Sequence, residues 1–178
     1  IGAMMSESLK KDLRYAGIIA LIYALRVFGF MVILPVLSLH ADHYHHATPW
    51  LIGLAIGAYG LTQAACQLPL ATLSDRLGRP VIVWFGLSLL IVGSLLAWST
   101  DDMRLLVIAR ALQGMGAIGS TLSAWCADLT SETHRTKCMA LIGAGIGLSF
   151  FLSTLLSPWL TSHLGLAGVF LCTAVLAA

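Results

Sequence analysis

The sequence has little charge. Asp, Glu, Lys and Arg make up 10% of its 178 residues, against about 25% in ordinary soluble domains. Apolar residues make up 58%. A chain of this length cannot hide that much apolar surface in one core, so most of it meets lipid. Ten basic and 8 acidic residues leave a formal charge of +2. With no basic stripe, the chain has no feature that calls for a nucleic-acid partner.

Cysteine is also scarce. Cys66, Cys126, Cys138 and Cys172 lie far apart, and no C-x-x-C occurs. That spacing suits neither a zinc site nor a redox pair, and reads as small buried hydrophobes. Carboxylates are missing where a membrane proton carrier would sit. Glu7, Asp12, Asp42, Asp75, Asp101, Asp102, Asp128 and Glu132 all fall at the edges of apolar runs or between them. No nucleophile–base pair, metal set or phosphate loop stands out, so enzymatic catalysis is the least supported class, and no cofactor is expected.

What the sequence does have is long apolar runs. A spanning helix needs roughly 20 mostly apolar residues. The runs 15–39, 49–73, 81–98, 104–127 and 138–160 meet that length or come close, after a tail over residues 1–14. The first four residues, IGAM, read as a cloning remnant and are left out of the fold. The first run exceeds the h-region of a cleaved signal peptide, about 7–15 residues, and contains Arg26. A partial sixth span covers 166–178. As a helix it reaches about 20 Å, short of a hydrocarbon core of roughly 30 Å. Either this span is cut or this end does not cross.

Basic residues set the orientation. Lys10, Lys11 and Arg14 precede the first span, Arg76 and Arg79 separate the second and third, and Arg135 and Lys137 separate the fourth and fifth. Only Arg104 lies on the opposite side. The N-terminus and the stretch LSDRLGRP (73–80) are therefore expected in the cytoplasm, the latter as a connection between two spans. Thr48 is expected to cap the second span ahead of Pro49, and Pro80 to sit in the first turn of the third. Pro35 and Pro158 fall near outer helix ends, where a kink is tolerated.

Two charges lie well inside spans. Arg26 is about 16 Å in from Tyr15 by helical rise, near the midplane, where arginine is costly and marks function by default. We read it as facing a polar central cavity; the alternative is a structural arginine bonded to backbone carbonyls. Arg110 begins a stripe through Gly114, Ala117, Thr121, Trp125 and Asp128, close to one face of a continuous fourth helix. Gln63 and Gln67, one turn apart, either bond across helices or line a polar path. GMGAIG (114–119) spells G-x-G-x-x-G but lies inside an apolar helix, without the strand that a dinucleotide site needs. Its small residues are expected to let helices approach closely, as are those of Gly53-x-x-x-Gly57 and Gly143-x-x-x-Gly147. HADHYHHA (40–47) holds four histidines; a solvated outer loop explains it more simply than a metal site or an acid sensor.

These residues resemble the major facilitator superfamily of secondary transporters. Its motif between helices two and three, roughly G-x-L-x-D-R-x-G-R followed by a basic residue, is matched by Leu73, Asp75, Arg76, Gly78 and Arg79, with Ala71 and Pro80 as departures. A second motif on helix four, R-x-x-Q-G-x-G, is matched by Arg110, Gln113, Gly114 and Gly116. The pattern looks most like the bacterial drug–proton antiporter branch, in which Arg26 also matches a first-helix arginine.

The resemblance implies an all-α membrane protein, the N-terminal six-helix half of a twelve-helix fold with the sixth helix truncated. It implies proton-coupled efflux of small amphipathic compounds across the bacterial inner membrane by alternating access. The alternatives are an uptake symporter or facilitator, left open by Ser157-Pro158 where the antiporters carry Gly-Pro, and a half-chain with no transport of its own. A switch formed by Asp75, Arg76, Gly78, Arg79 and Asp128 is implied, as is a substrate or proton pathway through Arg26, Gln63, Gln67, Arg110, Gln113 and Gly114. The implied partners are the lipid bilayer, protons, an unidentified small molecule and a second six-helix half.

Overall fold

The computed structural model describes residues 2–178, with side chains from Glu7 onward apart from that of Asp42. The side chains of IGAM therefore lie outside the described residues. Those residues form helices and no strand: α1 (Gly2–Met31), α2 (Leu34–His40), a short 3-10 turn (Ala41–His43), α3 (Pro49–Leu77), α4 (Arg79–Ser99), α5 (Met103–Met115), α6 (Gly119–Leu129) and α7 (Arg135–Ala177). Counting α1 with α2 and α5 with α6, five stretches are long and apolar enough to cross a membrane. The protein is thus an all-α, multi-pass membrane bundle.

One end of the bundle carries Arg76, Arg79, Arg135 and Lys137, and we call it the basic end. The other carries His40, His43, His45 and His46. Each end has its own apolar core. Ile33, Leu37, Met103, Leu106 and Phe170 pack at the histidine-rich end. Ile19, Ile82, Ile118, Leu122 and Cys138 pack toward the basic end. Large apolar side chains on the outside, such as Leu61, Leu68, Trp84 and Phe151, are exposed. In water that would be a defect; in lipid it is the favoured surface, and helix association depends on packing and buried polar contacts.

The helix boundaries follow local chemistry. Thr48 Oγ1 accepts from Leu51 N–H at 3.3 Å and starts α3. Asp102 Oδ1 accepts from Arg104 N–H at 2.8 Å and starts α5. The turn between α4 and α5 is pinned to the histidine loop, because His45 N–H donates to the Asp101 carbonyl at 2.8 Å.

Several expectations need correction. The second helix does not stop at 73 but runs to Leu77. LSDRLGRP is therefore the last turn of one helix and the first of the next, with Gly78 alone between them. Gly78 has φ +97°, a backbone state that side chains disfavour, and this single residue makes the corner. The fourth span is not one helix. Residues 116–118 leave helical geometry, so the stripe from Arg110 to Asp128 changes phase there. The cause is close approach: Gly116 lies against the Gly86 backbone, and a methyl at Gly86 would strike Ile118.

The first span also breaks. Pro35 has no N–H to give, and both Val36 and Leu37 N–H bond to the Ile33 carbonyl. The Val32 carbonyl is taken instead by Ser157 Oγ from α7, at 2.5 Å. The stretches read as a fifth and a partial sixth span do remain two helices: α7 runs through both, but Gly165 (φ +67°) leaves helical geometry between them. Pro158 lies inside the first arm rather than near its end. Finally, Gly53, Gly57, Gly143 and Gly147 contact no other helix among the described residues. Their faces point outward, and the close approaches lie instead at Gly29, Gly86, Gly93 and Gly114.

Candidate functional site

Two polar clusters are built from the residues singled out in the sequence, one inside the bundle and one at its basic end. The inner cluster centres on Arg110, which α5 places in the middle of the protein with 0% exposure. Its Nη1 donates to Gln113 Oε1, one turn on, at 2.7 Å. The Gln113 amide nitrogen donates in turn to Ser94 Oγ on α4 at 2.8 Å. The guanidinium carbon lies 4.8 Å from the Tyr59 ring centroid and 5.4 Å from that of Phe30. Those two rings stack at 4.0 Å. The aromatic faces take up part of the charge. The Nε and Nη2 atoms nonetheless have no partner among the described residues, and no carboxylate contributes.

Gly114 makes this geometry possible. A Cβ there would overlap the Tyr59 carbonyl and Thr62 Oγ, so α3 and α5 touch backbone to backbone. Thr62 Oγ1 donates across the contact to the Ala111 carbonyl at 2.9 Å. Arg26 sits one turn before Phe30 on α1 and is 5% exposed. It lines a cavity of about 280 Å³ with Val83, Trp84, Leu87, Leu90 and Trp125. Its Nε and Nη2 are buried and unpartnered among the described residues. Gln63 and Gln67 are half-buried on α3. No hydrogen bond of either side-chain amide occurs among the described residues, although the Gln67 carbonyl accepts from Ser120 Oγ at 3.4 Å.

The second cluster centres on Arg79 at the start of α4. Its Nε donates to Asp128 Oδ2 at 3.0 Å and its Nη1 to Ser74 Oγ at 2.6 Å, and the same Nη1 forms an ion pair with Asp75 Oδ1 at 2.5 Å. Three helices, α3, α4 and α6, are thus tied by one guanidinium. Hydrogen bonding and the charges of both carboxylates favour its ionised form. Asp75 and Asp128 keep 61% and 56% of their side chains exposed. Arg76 points outward without an ion-pair partner among the described residues.

Sequence reasoning missed Ser74, Ser94, Tyr59 and Phe30. Ser94 was a lone polar atom in an apolar run, Ser74 was overshadowed by the charges beside it, and the rings looked like ordinary core. It also missed a group formed by the buried Asp12 and His134 with the exposed Ser131. In the histidine loop, no three His, Cys, Asp or Glu residues converge among the described residues. Burial and the Asp101 carboxylate push the nearby Tyr44 phenol up to about 12.

Residues 19–178 match the Major Facilitator Superfamily. The chain belongs to that family. Over 88% of its length it is 42% identical to the inner membrane transport protein YajR of Escherichia coli, of which it covers 34%. It is 37% identical over 89% of its length to an uncharacterized transporter of Buchnera aphidicola, covering 40% of that protein. It is 31% identical over 69% to the multidrug resistance protein D of E. coli, covering 32%. The chain thus spans about a third to two fifths of the length of the curated relatives it matches. The helical bundle described here is the N-terminal half of the family's fold.

Proposed function

We propose that this bundle is the amino-terminal half of a secondary transporter that works by alternating access in the bacterial inner membrane, with the basic end in the cytoplasm. Its cargo is a small amphipathic compound, exported in exchange for protons. The relatives that are named as transporters, one of them as a multidrug resistance protein, support this reading.

The observation that carries it is the Arg79 bridge. One cation holds Asp75 at the end of α3 and Asp128 at the end of α6 in a single cluster on the membrane rim. Transporters of this kind rock one half against the other about a central site. Asp75, Arg76, Gly78, Arg79 and Asp128 form the switch. Gly78 makes the corner that brings Asp75 under Arg79, and the half-exposed carboxylates can exchange this cation for a positive helix N-terminus in the second half. Protonation of either acid loosens the latch. Inside, Arg26, Arg110, Gln113 and Gly114, with Gln63 and Gln67, line the route of substrate or proton.

An uptake symporter or facilitator is the second reading. Among the described residues no carboxylate lies beside Arg110, which supports this reading because a mid-membrane proton carrier would then have to come from elsewhere. Substrate accumulation in whole cells, with and without a proton uncoupler, separates the two. The latch has its own test. Asp75→Asn is expected to shift the ratio of inward- to outward-open forms and to cut transport. Unchanged transport together with unchanged accessibility labelling would rule the switch out.

A further inference from the structure

A third polar cluster, used by neither site, lies at the basic end. Asp12 on α1 and His134 before α7 are 7% and 8% exposed. Asp12 Oδ2 accepts from Ser131 Oγ at 2.7 Å and from Ser131 N–H at 3.2 Å. His134 Nδ1 lies 3.0 Å from the same Oδ2 and 3.0 Å from Ser131 Oγ. With the serine proton directed at Asp12, the ring must carry hydrogen on Nδ1 and donate it. The trio has the composition of a hydrolytic triad but not its geometry. Such a relay uses one ring nitrogen for the acid and the other for the nucleophile, whereas here a single nitrogen meets both.

The cluster has a mechanical consequence instead. Ser131 is three residues beyond Asp128, and the turn between α6 and α7 has little freedom left. Thr130 Oγ1 donates to the Cys126 carbonyl at 2.8 Å, His134 N–H to the Ser131 carbonyl at 3.0 Å, and Arg135 Nη2 to the Ala127 carbonyl at 3.3 Å. Asp12 is the only member of this set that comes from α1. Through it, α1 is joined to the turn that directly follows Asp128 and the end of α6, and through Asp128 to Arg79 on α4.

We infer that Asp12, Ser131 and His134 form a clasp that fastens α1 to the α6–α7 turn and thereby holds Asp128 in register with Arg79. Asp12 and His134 are positioning residues for the latch. The inference rests on the latch reading above and adds that movement of α1 is transmitted to it. A buried carboxylate that accepts three hydrogen bonds suits this task, because charge-assisted bonds are short and directional.

The test uses the full-length protein in membranes, free of native cysteines, with one reporter cysteine at the histidine-rich end of the substrate route. The rate of its reaction with an impermeant maleimide reads the outward-open population. Asp128→Asn is expected to change that rate by about five-fold, the lower end of ordinary coupling between linked sites. Asp12→Asn should change it in the same direction, and the double variant no further than Asp128→Asn alone. His134→Asn, which keeps a donor at the Nδ1 position, should stay near the parent, whereas His134→Ala should follow Asp12→Asn. If Asp12→Asn fails to reach the membrane, Ser131→Ala is read in its place.

Factors for Asp12→Asn and Asp128→Asn that multiply would overturn the clasp while leaving the latch intact. So would a fall in Tm for Asp12→Asn with no change in labelling. No response to Asp128→Asn itself overturns the latch, and the clasp with it.

Discussion

Arg110 and Arg79 are the same residue in opposite settings. Arg110 is fully buried and, among the described residues, meets no carboxylate and makes one side-chain hydrogen bond and two ring contacts. Arg79 keeps 19% of its side chain exposed and holds two carboxylates and a hydroxyl. An arginine in mid-membrane costs at least a few kcal/mol. Each exposed ion pair at the rim contributes only about 0.2–1 kcal/mol. Neither arginine is therefore explained by stability. The interior charge is held in place by packing and cannot be exchanged. The rim charge is held by weak bonds that can break one at a time, as a latch requires.

The largest effect is expected from removing the interior charge without changing the volume much. Arg110→Met removes a cation whose mid-membrane cost is at least a few kcal/mol. It also leaves Gln113 Oε1 without its donor, at a cost of about 1–3 kcal/mol. The two nearly cancel, so Tm in detergent should barely move while transport falls to background. A fall in Tm that accounts for the lost transport would make Arg110 a structural residue and undo the comparison.

Next comes the wall of the arginine box. Gly114→Ala drives a methyl into the Tyr59 carbonyl, and backbone on both sides leaves little room to yield. Overpacking of this kind costs about 1–3 kcal/mol. Tm should drop, and transport with it, because Tyr59 moves against Arg110. Gly57→Ala, where an added methyl meets nothing within 4 Å, is the control. It should stabilise by about 0.5–1 kcal/mol, because glycine inside a helix costs that much relative to alanine.

Much of this was legible in the sequence, and for a physical reason. Lipid demands continuous apolar helices, so the helical architecture could be read from scarce charge and long apolar runs, and the resemblance to the family from the motifs around Asp75 and Arg110. Arg110, Gln113 and Gly114 were visible because polar and small residues in such a run are conspicuous. Their surroundings were not. Ser94, Tyr59 and Phe30 come from three other helices, and no spacing in the sequence links them to Arg110. The break at 116–118 was hidden because three small or apolar residues are compatible with a helix. What breaks it is the backbone of α4 at Gly86, a tertiary contact. The glycine pairs 53/57 and 143/147 had the same pattern as residues 114–119 but face outward, since the sequence of a helix does not say which of its small faces meets a neighbour. Asp12 and His134 are 122 residues apart, and each looked like ordinary polar flank.

The smallest effect on stability, and the sharpest on the comparison, is expected from Arg79→Lys. The charge is kept, but the fork is lost: one ammonium cannot hold Asp75, Ser74 and Asp128 from the directions that Nε and Nη1 now occupy. Folding stability should fall by no more than about 1 kcal/mol, given how exposed both carboxylates are. The ratio of inward- to outward-open forms should nevertheless shift, because in the proposed mechanism that ratio depends on the latch rather than on the whole fold. The shift should also depend on salt. At about 1 M the Debye length is about 3 Å, and rim charges are largely screened, so parent and variant should converge. Arg110→Met should show no such convergence, since salt does not reach the interior. A salt-independent effect of Arg79→Lys would mean that the rim cluster is held by packing, as the inner one is, and that the two arginines are not opposites after all.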